Sequence, residues 1–306
     1  KIFRHQAGFA GEHHILEEKS HLPFILSRLE RGGSIFLTGP ETASGKKWTG
    51  VSPALLEPVY QAVRELGGIL AIEADGARGG SLKAPAHYEP VVPDFIDVLI
   101  PVAGIDAAGA PVDSRLVHRP QLVKKIAGSM EQVTPEIIAS VLTSPLGGLK
   151  SIPDTAIARV MINKVEDETG TRHARRAAGL VLKNMRVDAV LLAALAGSEP
   201  VLEVHGRVAA VVLAAGEGKR FGGPKQLQEL QGEPLAHRTA RTALEAGLDP
   251  VIVVTGAHEH KVWEVLEDLP VMVVSNPEWK SGQGSSVAAG AKQLPENVGA
   301  DRKSVV

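Results

Sequence analysis

Val208-Ala209-Ala210-Val211-Val212-Leu213-Ala214-Ala215-Gly216-Glu217-Gly218-Lys219-Arg220-Phe221-Gly222-Gly223-Pro224-Lys225 decides the reading of the fold. Its first half is apolar at every position, the pattern of a strand covered on both faces, and such strands belong to parallel sheets sandwiched by helices. Its second half is dense in glycine and carries Arg220 and Lys225. A buried strand opening into such a loop offers backbone N–H groups beside two cations, the combination a nucleoside triphosphate requires. Gly216 and Gly218 permit a tight turn and a close approach to phosphate. Arg220 and Lys225 are the candidate catalytic cations, placed to neutralise the triphosphate and the leaving pyrophosphate.

Further apolar, β-branched runs occur at 35–38, 69–74, 98–102, 158–162, 189–193, 251–255 and 271–274, alternating with helical patterns. That alternation is the mark of βα units. Ser52-Pro53, Thr134-Pro135 and Glu233-Pro234 mark helix starts, since proline at the first helical position loses an N–H that would go unbonded anyway. After Pro234, Leu235, Ala240, Ala243 and Leu244 share one face, and Gly247 ends the helix. The rhythm breaks from Ala196-Gly197-Ser198-Glu199-Pro200 to Gly206, which puts a domain boundary near residue 205. The expected fold is α/β: two three-layer αβα, Rossmann-like domains with mostly parallel sheets, residues 1–205 and 206–306, the second incomplete.

Composition bounds the function. The 306 residues are 44% hydrophobic and 22% charged, suited to two domains with their own cores. A net charge of -2 lacks the basic excess of a nucleic-acid binder. With no cysteine, disulfides, zinc–thiolate sites and cysteine nucleophiles are excluded, which fits a reducing cytoplasm. No run reaches the roughly 18 apolar residues of a membrane helix, and the N-terminus lacks a signal-peptide layout. The expectation is a cytoplasmic protein with neither nucleic-acid nor membrane partners. The chain opens at Lys1 rather than methionine and closes at Lys303-Ser304-Val305-Val306 with no closing strand expected, so it reads as a piece of something longer.

A second candidate site is Glu73-Ala74-Asp75-Gly76-Ala77-Arg78-Gly79-Gly80-Ser81-Leu82-Lys83, after the apolar run at 69–74. Acids at the carboxyl end of a parallel strand, then a glycine loop with Arg78 and Lys83, occupy the position where open α/β sheets bind ligands. Gly39-Pro40-Glu41-Thr42-Ala43-Ser44-Gly45-Lys46-Lys47 imitates a phosphate loop, but it is one residue too long and Lys47 stands where a hydroxyl should hold the metal. His13-His14 and His258-Glu259-His260 lack the i, i+4 pair of a zinc helix and are expected at the surface.

The loop at 213–225, with Gln226-Leu227, Gly232-Glu233-Pro234-Leu235, Asn276-Pro277-Glu278-Trp279 and Gly282-Gln283-Gly284-Ser285-Ser286-Val287, resembles in order the MobA-like nucleotidyltransferases, most closely the molybdenum cofactor cytidylyltransferases. The resemblance implies that Leu213, Ala214, Ala215, Gly216, Gly218 and Lys225 bind the nucleotide, with Ala214, Gly216, Arg220 and Lys225 on the triphosphate, and that Gly284, Ser285 and Ser286 line the nucleotide pocket. Read from chemistry alone, that Gly-Ser-Ser segment is a helix cap. The resemblance also implies CTP or GTP as donor, a molybdopterin-type cofactor as acceptor, and Mg²⁺ held by an aspartate in a Gly-Asp segment that this chain does not contain. Asp301 does not match that pattern.

Glu73 to Pro85, with Glu89-Pro90-Val91-Val92-Pro93, His118-Arg119-Pro120 and Asn163-Lys164-Val165, is similar to the YqeC-like accessory family of selenium-dependent molybdenum hydroxylases. That likeness implies a relative of the P-loop NTPases lacking its N-terminal phosphate loop, with Asp75 near a metal and Asn163-Lys164 near a base, and a molybdenum hydroxylase as partner. Together these suggest a fusion that transfers CMP from CTP to molybdopterin with release of pyrophosphate. The alternatives are a guanylyl or sugar-phosphate transferase, or a carrier and insertion chaperone that performs no transfer.

Overall fold

The computed structural model describes residues 2–3, 11–45, 47–295 and 298–305, and for 2–3, Arg220 and 298–305 the backbone alone. The chain clusters into two compact units, residues 1–76 with 89–96 and residues 77–88 with 97–306.

In the first unit β1 (Ile2–Phe3) pairs antiparallel with β4 (Lys47–Trp48), and β2 (Glu12–Ile15) runs parallel to β3 (Ile35–Thr38). Helices α1 (Leu22–Leu29) and α2 (Pro53–Glu65) complete a small core of Leu16, Ile25, Leu55, Val59 and Val63. The segment that imitates a phosphate loop is the turn between β3 and β4: Gly39 N–H donates to Thr49 O and Thr42 N–H to Lys47 O, while Lys46 lies outside the described residues. His13, expected at the surface, is half-buried against Trp48 with ring centroids 4.3 Å apart, bonds Thr38 Oγ1 at 2.9 Å, and has its pKa lowered by that burial.

The strand expected at 69–74 does not form. Ile69 is 95% exposed, and Ala74 O accepts a single bond from Val91 N–H at 3.5 Å. An apolar run becomes a strand only where a neighbour completes its ladder and covers its side chains, and among the described residues none flanks this one.

The second unit holds an eight-stranded sheet in the order β15-β14-β11-β10-β9-β6, with β7 also on β9 and β16 also on β11. Its strands are β6 (Val98–Leu99), β7 (Val102–Gly104), β9 (Ile157–Asn163), β10 (Val187–Ala193), β11 (Val201–Leu213), β14 (Val251–Thr255), β15 (Met272–Ser275) and β16 (Val298–Val305). The short β5 (Leu82–Lys83) and β8 (Val117–His118) pair with each other, as do β12 (Glu229–Leu230) and β13 (Glu233–Pro234). The run at 98–102 is divided into β6 and β7 because Pro101 has no N–H for the ladder, although its carbonyl accepts from Met161. The C-terminal segment, expected to lack a closing strand, forms β16, parallel to β11 from Arg207↔Val298 to Leu213↔Val305.

β11 changes partners along its length. Residues 201–206 pair antiparallel with β10, whereas from 207 onward the strand runs parallel to β16 and then, from Ala210, also to β14. Where the partners change, the buried Arg207 donates to the carbonyls of Asn184 and Val187.

Helices α3 (Pro120–Ala127), α4 (Pro135–Thr143) and α5 (Glu168–Val181) cover the earlier strands, giving a core that includes Ile138, Val160, Ile162, Val181 and Leu192. Thr134 and Asp167 cap α4 and α5 by accepting from Ile137 N–H and Gly170 N–H. Around β11 the layering reads directly from the alternation of side chains. Ala210, Val212 and Ala214 face α6 (Leu235–Glu245) and α7 (Glu259–Glu264), while Val211 and Leu213 face α8 (Gln283–Ala291). Among the described residues no helix is long and apolar enough to cross a membrane.

Glu233-Pro234 does not open its helix as expected. Pro234 sits at the cap position of α6, and the Glu233 side chain reaches forward to Arg241 Nε at 2.8 Å and His237 Nδ1 at 2.7 Å. Arg241 and His237 hold the Glu233 carboxyl at about 2, below its ordinary 4.5. A carboxylate whose pKa falls on folding contributes stability above its unfolded value and loses that contribution as the pH drops through the folded one. The unfolding midpoint should therefore fall between pH 4.5 and about 2 in part through Glu233. Glu233→Gln should flatten that limb in an acid titration followed by circular dichroism, and an unaltered limb contradicts the assignment.

Candidate functional site

The loop after β11 is built from what its backbone cannot pair with. Ala214 N–H donates to Val254 O at 2.8 Å, the last ladder contact on that side, and Ala257 N–H donates to Ala215 O at 3.1 Å. Beyond this the chain leaves the sheet. The amide N–H groups of Ala215, Gly216, Glu217 and Gly218 donate to no acceptor among the described residues. Four successive unpaired amides at the carboxyl end of a parallel strand form a concavity of positive dipole ends suited to an anion.

Gly218 folds the loop back. Its φ of +76° is left-handed, and a Cβ there would lie 1.8 Å from Gly223 O. Phe221 N–H and Gly223 N–H both return to Gly218 O. Gly216 meets nothing within 4 Å of its ideal Cβ, so its inner face is open space. On the floor, Gln226 is 3% exposed, and its side-chain amide donates to Ala214 O at 3.2 Å and Gly216 O at 2.9 Å. In the sequence Gln226 enters only through the family resemblance, with no role attached to it. The signal was a carboxamide among apolar neighbours beside a glycine loop, which implies carbonyls needing donors.

A cleft of about 650 Å³ lies over this loop, lined by Gly216, Gly218, Lys219, Lys225 and Gln226 on one wall and Trp279 and Lys280 on the other. The far wall is held by Asn276, 3% exposed, whose amide donates to Ser285 Oγ at 2.8 Å and Ser286 Oγ at 2.9 Å while its carbonyl accepts from Glu278 N–H. Gly256 admits Trp279 to this wall: a Cβ there would lie 2.8 Å from Trp279 Cβ. Lys280 Nζ sits 5.4 Å from the centroid of the Trp279 ring.

Of the expected nucleotide-binding residues, Leu213, Ala214 and Ala215 are buried at and just past the end of β11, so backbone is what they can offer. Gly216, Gly218 and Lys225 line the cleft. Lys225 is exposed and has no ion pair among the described residues, whereas Lys219 pairs with Glu217 at 3.0 Å. The Arg220 side chain lies outside the described residues. Gly284, Ser285 and Ser286 are not in the cleft lining; they lie in the first turn of α8. They do not cap that helix, since Gly282 holds the cap position and the Ser285 hydroxyl turns back to Gly282 O and Glu278 O.

The metal implied by the resemblance does not fit the residues present. Glu217 is the carboxylate in the cleft lining and is already paired with Lys219, and no group of three histidines or acids that could hold an ion occurs among the described residues. Mg²⁺ binds through carboxylates together with phosphate oxygens, so this wall by itself offers no such centre.

The second candidate site is divided between the two units, Glu73 and Asp75 in the first and Arg78, Lys83, Asn163 and Lys164 in the second. Within the second unit Asn163 Oδ1 accepts from Leu195 N–H at 3.1 Å. Lys164, at a φ of +62°, donates to Ser81 Oγ at 2.8 Å and Asp106 Oδ2 at 2.9 Å, and the Ser81 hydroxyl donates to Asp106 at 2.9 Å. Arg78 also has a positive φ, +52°, and Lys83 lies in β5. Ser81 lies inside the segment quoted from the sequence but carried no role there, and Asp106 was not singled out.

Residues 210–302 match the family of the MobA-like NTP transferase domain, and residues 1–121 match the YqeC protein family. Nicotine blue oxidoreductase of Paenarthrobacter nicotinovorans is 43% identical over 84 residues, 27% of this chain and 41% of that protein. The uncharacterized protein YqeC of Escherichia coli is 32% identical over 113 residues, 36% of this chain and 43% of the relative. A probable molybdenum cofactor guanylyltransferase of Opitutus terrae is 39% identical over 62 residues, 20% of this chain and 31% of the relative. The chain spans less than half the length of each of these relatives.

Gly218→Ala tests the loop geometry. A left-handed residue with a Cβ costs about 1–2 kcal/mol, and the overlap with Gly223 O must be relieved by moving backbone. Triphosphate affinity measured by calorimetry should weaken about tenfold or more, tenfold corresponding to about 1.4 kcal/mol. Unchanged affinity contradicts the account of this turn.

Proposed function

We propose that this chain, which joins a YqeC domain to a MobA-like NTP transferase domain, serves molybdenum cofactor maturation by moving CMP from CTP to the phosphate of a molybdopterin-type cofactor. The observation that supports the reading is the row of four amides at residues 215–218, unpaired among the described residues, beside the Lys225 ammonium, which has no ion pair among them either. We place the boundary between the two functional parts at 1–205 and 206–306, where β11 changes partners. The first part, with Glu73, Asp75, Arg78, Lys83, Asn163 and Lys164, is assigned to handling a second ligand or the recipient hydroxylase, in the reducing cytoplasm that a cysteine-free chain suits.

In the reaction an oxygen of the pterin phosphate attacks the α-phosphorus of CTP. The new P–O bond forms as the bond to the bridging oxygen breaks, and the electron pair leaves with pyrophosphate. The amides hold the triphosphate oxygens in place before the reaction, which removes reorganisation from the chemical step. Lys225 neutralises charge as it gathers on the leaving group, and Arg220 supports it. Mg²⁺ bound on the phosphates would add Lewis-acid neutralisation, and the residues described here take no step through it.

GTP is the competing donor. Backbone amides and lysine grip phosphate without reading the base, and the Opitutus terrae relative is named a guanylyltransferase. Pyrophosphate release with CTP, GTP and ATP in parallel decides between them: a preference for CTP supports the reading and a preference for GTP replaces it.

Lys225→Ala should lower turnover by about two to three decades, the scale of removing one group that stabilises transition-state charge. Near-normal pyrophosphate release from that variant contradicts the assignment.

A further inference from the structure

We infer that Gln226 is the positioning residue of the phosphate-binding turn, its buried amide fixing the peptide planes that aim the Ala215 and Glu217 N–H groups at the ligand. The inference deepens the nucleotidyl-transfer reading and rests on it. Both partners of the side chain are carbonyl oxygens, Ala214 O at 3.2 Å and Gly216 O at 2.9 Å, so the group facing them is the NH₂ and both of its hydrogens are used. In a trans peptide the C=O and the following N–H point in opposite directions because the unit is planar. Drawing Ala214 O onto Gln226 therefore turns Ala215 N–H away from it, and drawing Gly216 O turns Glu217 N–H away likewise. Two of the four amides that are unpaired among the described residues owe their direction to one side chain.

The arrangement has the economy of a jig. Gln226 follows Lys225 directly, in a short 3-10 turn at 225–227 begun by Pro224. Lys225, whose ammonium has no ion pair among the described residues, is thus one peptide bond from the residue that sets the loop. At 3% exposure the side chain has little water to turn to, so losing either bond leaves a carbonyl unpaired in the interior.

Two variants test this. Gln226→Met fills much of the same volume and removes both donors. Gln226→Glu keeps the shape, but its ionised form cannot donate, whereas its protonated form can donate once. Titration with CTP and with GTP by calorimetry, together with steady-state kinetics and a thermal unfolding midpoint for each variant, reads the outcome. We expect triphosphate affinity about tenfold or more weaker in Gln226→Met, with KM rising more than kcat falls. For Gln226→Glu we expect affinity that recovers as the pH is lowered and the carboxyl takes up its proton, a trend the unaltered protein does not show. A structural role alone moves the unfolding midpoint and leaves that pH trend out. If the unaltered protein binds triphosphate and both folded variants bind it equally well at every pH, the inference is overturned while the transfer reading stands. If the unaltered protein binds neither CTP nor GTP, the transfer reading falls and this inference falls with it.

Discussion

Cover on both faces of β11 is the constraint from which the rest follows. Ala210, Val212 and Ala214 are sealed by one helix layer, Val211 and Leu213 by the other, so the strand can neither slip in register nor expose an edge face. It must end abruptly, and where it ends its peptide groups have lost their neighbours. A polar backbone without partners is costly in an interior, and it is tolerable at the mouth of a cleft where a ligand can bond it. Gly218, with its left-handed φ, bends the chain back before those groups are buried, and Gln226 satisfies two carbonyls while the N–H groups find no acceptor among the described residues.

Much of this was legible in the sequence, for definite reasons. A run of apolar, β-branched residues covered on both faces has one environment open to it, so β14 and the 208–213 half of β11 were visible as buried strands, while β9 and β10 showed through apolar runs interrupted only by Arg159 and Asp188. Pro53 and Pro135 mark helix starts through a local effect of the missing N–H, and both helices begin there. The same rule failed at Glu233-Pro234, where the carboxylate was drawn to Arg241 and His237 by charge, a contact between side chains that no cap rule contains. A different rule failed at 69–74, because β-propensity describes a surface that fits between neighbours and says nothing of whether the neighbours are there.

The cleft itself was half legible. Glycine spacing and the lysine exposed the turn at 213–225, since those residues act through local backbone geometry. The far wall depends on Asn276 holding Ser285 and Ser286, and on Gly256 admitting Trp279, contacts across 9 to 23 residues of sequence. In the same way the bonds joining Lys164 to Ser81 and Asp106 span 83 and 58 residues, so sequence could nominate Lys164 but not the network it joins. Lys164 and Arg78 both hold positive φ, a conformation that side chains adopt at a cost and that concentrates at functional sites.

The central claim is that the peptide N–H groups of residues 215–218 form a receptor for a triphosphate. Amide chemical shifts of the isotopically labelled protein, followed during titration with CTP and GTP, test it most directly. The account predicts that the signals of Ala215, Gly216, Glu217 and Gly218 move together and saturate with the nucleotide. Signals that stay in place while nucleotide is in excess contradict it.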